Sequence, residues 1–132
     1  MNLVSVRVIT DDPARLVAFY EKVTGTAADW ANDDFAEVRT ASGTLAIGST
    51  RTVPLFAPGS ARPADNRSVI LEFRVDDVDA VHTELRTWVE EFVTEPTTLP
   101  WGNRSLLLCD PDGNLVNLFT PVTPAAKERF GR

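Results

Sequence analysis

The sequence of 132 residues contains few of the side chains that build metal centres and covalent cross-links, with only one Cys and one His. A single Cys excludes an internal disulfide, and it also excludes a zinc site built from several cysteines. A single His excludes any metal site that needs two histidines from one chain. We therefore expect no His-rich metal centre. We also predict that the protein has no cofactor.

Positive charge is scarce as well, since there are 13 basic and 19 acidic side chains and the formal net charge is −6. Domains that bind nucleic acid need clustered Lys and Arg, so we expect no nucleic-acid partner. An acidic balance favours instead a cationic small molecule as the ligand.

Long apolar runs are also absent. The longest uncharged stretch, residues 113–126, is interrupted by Pro121 and Pro124, so we expect no membrane span. The N-terminal residues include Arg7 and lack the apolar core of a signal peptide. We therefore expect a cytoplasmic protein.

The hydrophobic pattern begins with a strand followed by a helix. Residues 3–10 alternate between apolar and polar side chains, as in a half-buried strand. Asp12 and Pro13 then supply a helix cap and a proline suited to the first helical position. Apolar side chains follow at helical spacing, and Gly25 predicts the end of this helix.

The same order returns in the second half of the chain. Residues 69–75 alternate, Asp77 is placed to cap a helix, and an apolar helical stripe runs from Val78 to Val89. Asp12 and Asp77 are 65 positions apart, which is close to half the chain, and strand, cap and stripe all fall in register. This agreement predicts a duplicated module.

Short strand-like runs follow each helix, near residues 26–30, 35–40 and 44–49 in the first half and near 92–95, 104–109 and 114–120 in the second. We therefore predict an α+β fold, a single domain over residues 1–132 with two tandem β-α-β-β-β modules. The parts are a first module (1–50), a linker rich in Pro (51–67), a second module (68–122) and a C-terminal tail (123–132).

Three phrases resemble the vicinal oxygen chelate superfamily, which contains glyoxalase I, bleomycin-resistance proteins and extradiol dioxygenases. They are DDPARLVAFYEKVTG (11–25), VDDVDAVHTEL (75–85) and PWGNRSLLLCDPDGNLVNLF (100–119). The resemblance implies paired modules whose mixed sheets curl around a cleft, usually in a homodimer. It also implies a small-molecule ligand in that cleft.

Metal-dependent members of this superfamily place ligands at three or four strand positions. The positions that match them by resemblance are occupied here by Ser5, Ile47, Ile70 and Asn117. Ser and Asn are poor ligands for Zn²⁺, Fe²⁺ or Ni²⁺, and Ile cannot ligate at all. The chain therefore resembles the metal-free, drug-binding branch of the superfamily.

The resemblance and the strand alternation together give a set of candidate ligand-binding residues. If Ser5 and Ile70 face the cleft, Arg7, Glu72 and Arg74 share that face, while Val4, Val6 and Val8 pack under the helices. The rings at strand ends would stack on a flat ligand. The candidates are Ser5, Arg7, Trp30, Phe35, Ile70, Glu72, Trp101 and Asn117.

Two functions of different classes fit these residues. One is a metal-free protein that binds an aromatic or cationic small molecule, as bleomycin- and mitomycin-resistance proteins do. The other is an enzyme in the same cleft, a glyoxalase-like lyase or isomerase or a dioxygenase, with Glu72 as a weak candidate for the general base or with metal ligands in a shifted register. For Glu72, the structural alternative is an ion pair with Arg7 or Arg74. Cys109 is expected in the core.

Overall fold

The computed structural model describes residues 1–131, and they form two compact units. The first unit contains residues 1–66 with 111–113, and the second contains residues 67–110 with the segment that begins at residue 114. Each unit carries one four-stranded sheet. The predicted α+β fold with two repeated modules is confirmed.

The first unit follows the predicted order of strand, helix and three further strands. Its elements are β1 (Ser5–Thr10), α1 (Pro13–Thr24), β2 (Asp29–Asn32), β3 (Phe35–Arg39), β4 (Thr44–Ser49), a 3₁₀ helix (Thr50–Thr52) and α2 (Val53–Phe56). The sheet order is β1-β4-β3-β2, with β1 parallel to β4 and the other pairs antiparallel. Part of the predicted linker is therefore helical.

The second unit repeats this order. Its elements are β5 (Ile70–Arg74), α3 (Val78–Leu85), β6 (Thr97–Thr98), β7 (Asn103–Cys109), β8 (Leu115–Pro121) and α4 (Pro124–Phe130). The sheet order is β5-β8-β7-β6, and β5 is parallel to β8. The two sheets thus have the same topology, with the first strand of each unit parallel to its last.

Both long helices begin where the sequence predicts. The Asp12 carboxylate accepts a hydrogen bond from the Arg15 amide, and the Asp77 carboxylate accepts two from the first turn of α3. Gly25 ends α1 with a φ of 68°, a left-handed conformation that favours glycine. Helix α3 ends at Leu85, about one turn before the end of the predicted apolar stripe at Val89. After Leu85 the amides of Thr87 and Trp88 bond to the carbonyls three residues earlier, as in a 3₁₀ helix.

The core of each unit lies between its sheet and its long helix. In the first unit α1 packs on β3 and β4, and it buries Ala36, Val38 and Ile47. The prediction that Val4 and Val6 pack under this helix is wrong, since both are exposed. The reason is that β1 is an edge strand and α1 lies over the two strands beyond it.

Two further expectations concern single features. Cys109 is exposed instead of buried, because it is the last residue of β7. None of the helices among residues 1–131 combines the length and the apolar character that crossing a membrane requires.

Candidate functional site

The second sheet presents two different faces. On one face Arg104 and Thr120 contact α3, through an ion pair with Asp79 and a hydrogen bond from the Val78 amide. On the other face Glu72 of β5 lies beside Asn117 of β8 in the parallel register. Because side chains alternate along a strand, this second face is the one opposite α3.

Glu72 and Asn117 contact each other directly on the face opposite α3. The side-chain amide of Asn117 donates a hydrogen bond of 2.8 Å to Oε2 of Glu72. Glu72 forms no ion pair with Arg74 or with another described residue of the second unit, so the alternative of a pair with Arg74 is wrong. The alternative of a pair with Arg7, which lies in the first unit, stays a prediction. The amide of Asn117 therefore orients the carboxylate without neutralising its charge.

Three buried oxygen atoms on this face have no hydrogen-bond partner among residues 1–131. They are Oδ1 of Asn103, Oγ of Ser105 and Oδ1 of Asn117, whose residues are 5%, 3% and 9% exposed. The register of β7 with β8 places all three side chains on one face. The polar side chains of this face, which are spread over three successive register positions, are called the polar cluster below: Glu72, Asn103, Ser105 and Asn117.

The polar cluster was only partly predictable. Glu72 and Asn117 were among the candidate residues, but Asn103 and Ser105 were not, although their spacing of two in a strand places both on one face. Helix α4 packs at the same face, since the Phe130 ring lies 5.0 Å from the Phe119 ring, and Phe119 is the register partner of Ser105. The sequence indicated a terminal segment but not where it packs.

Two more candidates lie in the second unit. Ile70 is exposed on β5. It lies two residues before Glu72 in the strand and therefore shares the face of Glu72. Trp101 is 63% exposed in the turn before β7. Its neighbour Gly102 has a φ of 94°, and a Cβ at this position would clash with the Thr123 hydroxyl. The turn that carries Trp101 is therefore fixed against the start of α4.

In the first unit the guanidinium of Arg7 lies among aromatic rings. Its Cζ is 4.3 Å from the centre of the Phe35 ring and 5.0 Å from that of Phe56. Ser5 precedes it on the same face and is exposed at the start of β1. The sequence did not indicate Phe56, because the contact depends on how α2 folds back toward the sheet.

Two expectations about faces of the first sheet are wrong. Ile47 pairs with Val8 and is fully buried, so it lies with the core and not beside Ser5 and Arg7. The residue of β4 that pairs with Arg7 is Ala46. Trp30 pairs with the buried Ala36, so it lies on the face opposite Phe35, and the structure does not bring these two rings together.

The donor set does not fit a transition-metal ion. Within residues 1–131 no three side chains of His, Cys, Asp or Glu are grouped closely enough to hold a metal. With Ala46 at the position expected for Ile47, the four matched strand positions carry one hydroxyl, one amide and two alkyl groups. A catalytic zinc site takes three protein ligands from His, Cys, Asp or Glu.

Two carboxylates with altered pKa values lie outside the polar cluster. The hydrogen bond from Arg104 lowers the pKa of Asp79, and the hydrogen bond from the Ser49 hydroxyl, followed by that from Arg51, lowers the pKa of Asp34. Each of these groups joins a helix or turn to a strand. Both therefore have structural roles.

Comparison with known proteins agrees with this architecture. The family model for the Glyoxalase/Bleomycin resistance protein/Dioxygenase superfamily matches residues 2–118, and the chain belongs to this superfamily. A comparison with curated proteins found no match.

Solved structures with the same fold come from several bacteria. A superfamily enzyme from Burkholderia phytofirmans has a TM-score of 0.79 at 19% identity, covering 92% of this chain and all of its own (100%). A protein of unknown function from Agrobacterium tumefaciens has a TM-score of 0.77 at 24% identity, and the match covers 91% of this chain and 94% of that protein. A superfamily protein from Nocardioides has a TM-score of 0.75 at 20% identity, and the match covers 94% of this chain and 85% of that protein. These likenesses show the fold alone.

Proposed function

We propose that this protein binds a small molecule without a metal ion, as bleomycin- and mitomycin-resistance proteins do. The observation that carries the proposal is the polar cluster on the face of the second sheet opposite α3. Its carboxylate is held by the Asn117 amide, and three of its buried oxygen atoms have no hydrogen-bond partner in the described part of the chain. Such a cluster favours a ligand that supplies hydrogen-bond donors.

The chemistry of these atoms supports a cationic or amide-rich ligand. Glu72 and the two Asn Oδ1 atoms only accept hydrogen bonds, while the Ser105 hydroxyl can do either. A buried acceptor without a partner costs about 1–3 kcal/mol, and a bound donor recovers part of that free energy. Glu72 is exposed at the edge strand β5, where a ligand can reach it from solvent.

The other candidate residues supply apolar and orienting contacts in this proposal. In the second unit Ile70 and Trp101 are exposed, and the Trp101 ring offers a flat surface on which an aromatic ligand can stack. In the first unit Ser5, Arg7 and Phe35 share one face and are assigned to ligand contact. Trp30 lies on the other face and is left out.

We also propose a homodimer. Both units expose apolar side chains, including Leu3, Val4 and Leu55 in the first and Val69 and Ile70 in the second. Each sheet also has its first strand, β1 or β5, at an edge, and an edge strand can pair with a strand of another chain. Light scattering after size-exclusion chromatography should give twice the chain mass of 14.5 kDa, and the mass of one chain would contradict the dimer.

An enzymatic role through Glu72 is the second candidate. The observation that favours it is that Asn117 contacts only Oε2, so Oε1 accepts no hydrogen bond from residues 1–131. A carboxylate oriented by an amide and open on its other oxygen can take a proton from a bound substrate. Under this alternative Glu72→Gln abolishes turnover of a glyoxalase-type substrate without abolishing its binding.

The binding proposal is tested by a fluorescence titration with proflavine, a planar aromatic cation. We expect saturable binding, and Glu72→Gln should weaken it about tenfold through loss of the charged hydrogen bond. Glu84→Gln is the matched control, because Glu84 is exposed on α3 in the same unit and lies outside the polar cluster. Equal weakening by both variants would refute the site, as would the absence of saturation.

A further inference from the structure

We propose that Arg7 forms a binding site for an organic carboxylate on the face of the first sheet opposite α1. The ligand has a flat apolar body next to its carboxylate. This inference rests on the proposed binding function and deepens it by naming a ligand group. It uses only residues of the first unit.

Three neighbours fix the position of the Arg7 side chain. The rings of Phe35 and Phe56 lie 4.3 and 5.0 Å from its Cζ, within the range of cation–π contacts. Gly48 leaves room for it, since a Cβ at this position would be only 3.3 Å from Nη1. The guanidinium therefore has a defined place although Arg7 itself is exposed.

The carboxylates nearest in the sheet have other partners. Glu37 of β3 and Arg7 of β1 both pair with Ala46 of β4. Glu37, however, accepts a hydrogen bond of 2.9 Å from Arg39. Asp34, which precedes β3, bonds to the Ser49 hydroxyl and to Arg51 at 2.6 Å. Glu37 and Asp34 are thus paired with other arginines, and neither forms an ion pair with Arg7.

The N–H groups of Arg7 are correspondingly unused. No residue in 1–131 accepts a hydrogen bond from Arg7 or forms an ion pair with it. Phe35 and Phe56 contact the guanidinium with their rings and supply no oxygen acceptor, so these contacts do not use the N–H groups in hydrogen bonds to oxygen. A positioned cation with free donors is suited to an anionic ligand.

The shape of the site selects a carboxylate on a flat body. Two parallel N–H groups of a guanidinium match the two oxygens of a carboxylate. The Phe56 ring is 68% exposed beside the guanidinium, so it can cover an aromatic or planar group attached to that carboxylate. Inorganic phosphate carries at least the same negative charge but lacks the apolar body, so it should bind more weakly.

The test is a titration of the ¹⁵N-labelled full chain with benzoate, followed by NMR. We expect saturable shifts of the Arg7 Nε–H signal and of the amides of Phe35 and Gly48. Arg7→Gln should weaken benzoate binding about tenfold, and Arg7→Lys should recover only part of it because an ammonium lacks the paired donors. Phe56→Ala should weaken benzoate more than it weakens phosphate.

Arg15→Gln is the matched control, because Arg15 is exposed on α1 and the substitution changes the net charge equally. Benzoate affinity should be unchanged in this variant. The proposal is overturned if Arg15→Gln weakens binding as much as Arg7→Gln does, if phosphate binds as tightly as benzoate, or if the shifts do not saturate. Dispersed spectra of both Arg7 variants establish that they are folded.

The result is separable from that of the proflavine titration. If the polar cluster binds no cation, benzoate still shifts the Arg7 signals when the present inference holds. If Arg7 binds no carboxylate, Glu72→Gln still weakens proflavine binding when the proposed function holds. Each variant thus reports on one site.

Discussion

Asn117 donates its side-chain N–H to Glu72 over 2.8 Å, between two parallel strands whose residues are adjacent in the register. A donor at position 117 is what allows a charged Glu72 to remain beside it, since two carboxylates at this distance would repel each other. The carbonyl oxygen of the same Asn117 amide has no hydrogen-bond partner within residues 1–131. One side chain thus orients the carboxylate and offers an acceptor of its own.

Asn117→Asp should destabilise the fold, because it replaces the donor by a second carboxylate. We expect the free energy of unfolding at neutral pH to fall by about 1–3 kcal/mol, with partial recovery in mild acid as one carboxyl takes up a proton. Urea unfolding at two pH values measures this difference.

The double variant Glu72→Gln with Asn117→Asp is the control for the single variant Asn117→Asp. It reverses the direction of the hydrogen bond and should recover most of the lost stability. If the double variant is as unstable as Asn117→Asp alone, the contact between these two side chains does not contribute to stability in the way described.

Local signals predicted much of the fold. Asp12, Asp77 and Gly25 act on their own helices, so their sequence context was sufficient to place both helix starts and the end of α1. Strand alternation likewise gave the opposite faces of β5, where Leu71 is buried and Glu72 is exposed. These features depend on residues a few positions apart.

The candidate site was less predictable, because it depends on register and on contacts distant in sequence. Ile47 was assigned to the wrong face, since a shift of one residue in a strand exchanges its two faces. Phe56 is placed beside Arg7 by the path of α2, and Phe130 beside Phe119 by the path of α4. No periodic pattern encodes such paths.

Gly102→Ala should destabilise the protein more than Gly25→Ala. Both glycines have positive φ values, of 94° and 68°, but only at Gly102 would a Cβ clash, with the Thr123 hydroxyl. We expect a loss of about 1 kcal/mol at Gly25 from backbone strain and about 2–4 kcal/mol at Gly102 from strain and overpacking. Urea unfolding of both variants measures the difference, and equal losses would show that α4 does not pack tightly on this turn.

Asp34 should make stability depend on acid pH. The Ser49 hydroxyl, and after it Arg51, lower the pKa of Asp34 in the folded chain. The resulting stabilisation is present above the unfolded-state value of about 3.9 and is lost as the pH falls through the folded-state pKa. Asp34→Asn should therefore reduce the loss of stability below about pH 4.

Thermal unfolding between neutral pH and strong acid checks this effect of Asp34. Asp33→Asn is the control, because Asp33 is the exposed neighbour and has no hydrogen-bonded partner among residues 1–131. We expect its acid dependence to match that of the unmodified chain. If the unfolding temperature of Asp34→Asn depends on pH in the same way as that of Asp33→Asn, the result would contradict the structural role of Asp34.

We propose that this chain binds its ligand without a metal ion, and a proflavine titration after dialysis against a chelator tests this proposal most directly. Elemental analysis is performed on the same protein before and after exposure to Zn²⁺, Ni²⁺ and Fe²⁺. We expect no stoichiometric metal and the same proflavine affinity in every sample. One tightly held metal ion per chain that is required for proflavine binding would contradict the account.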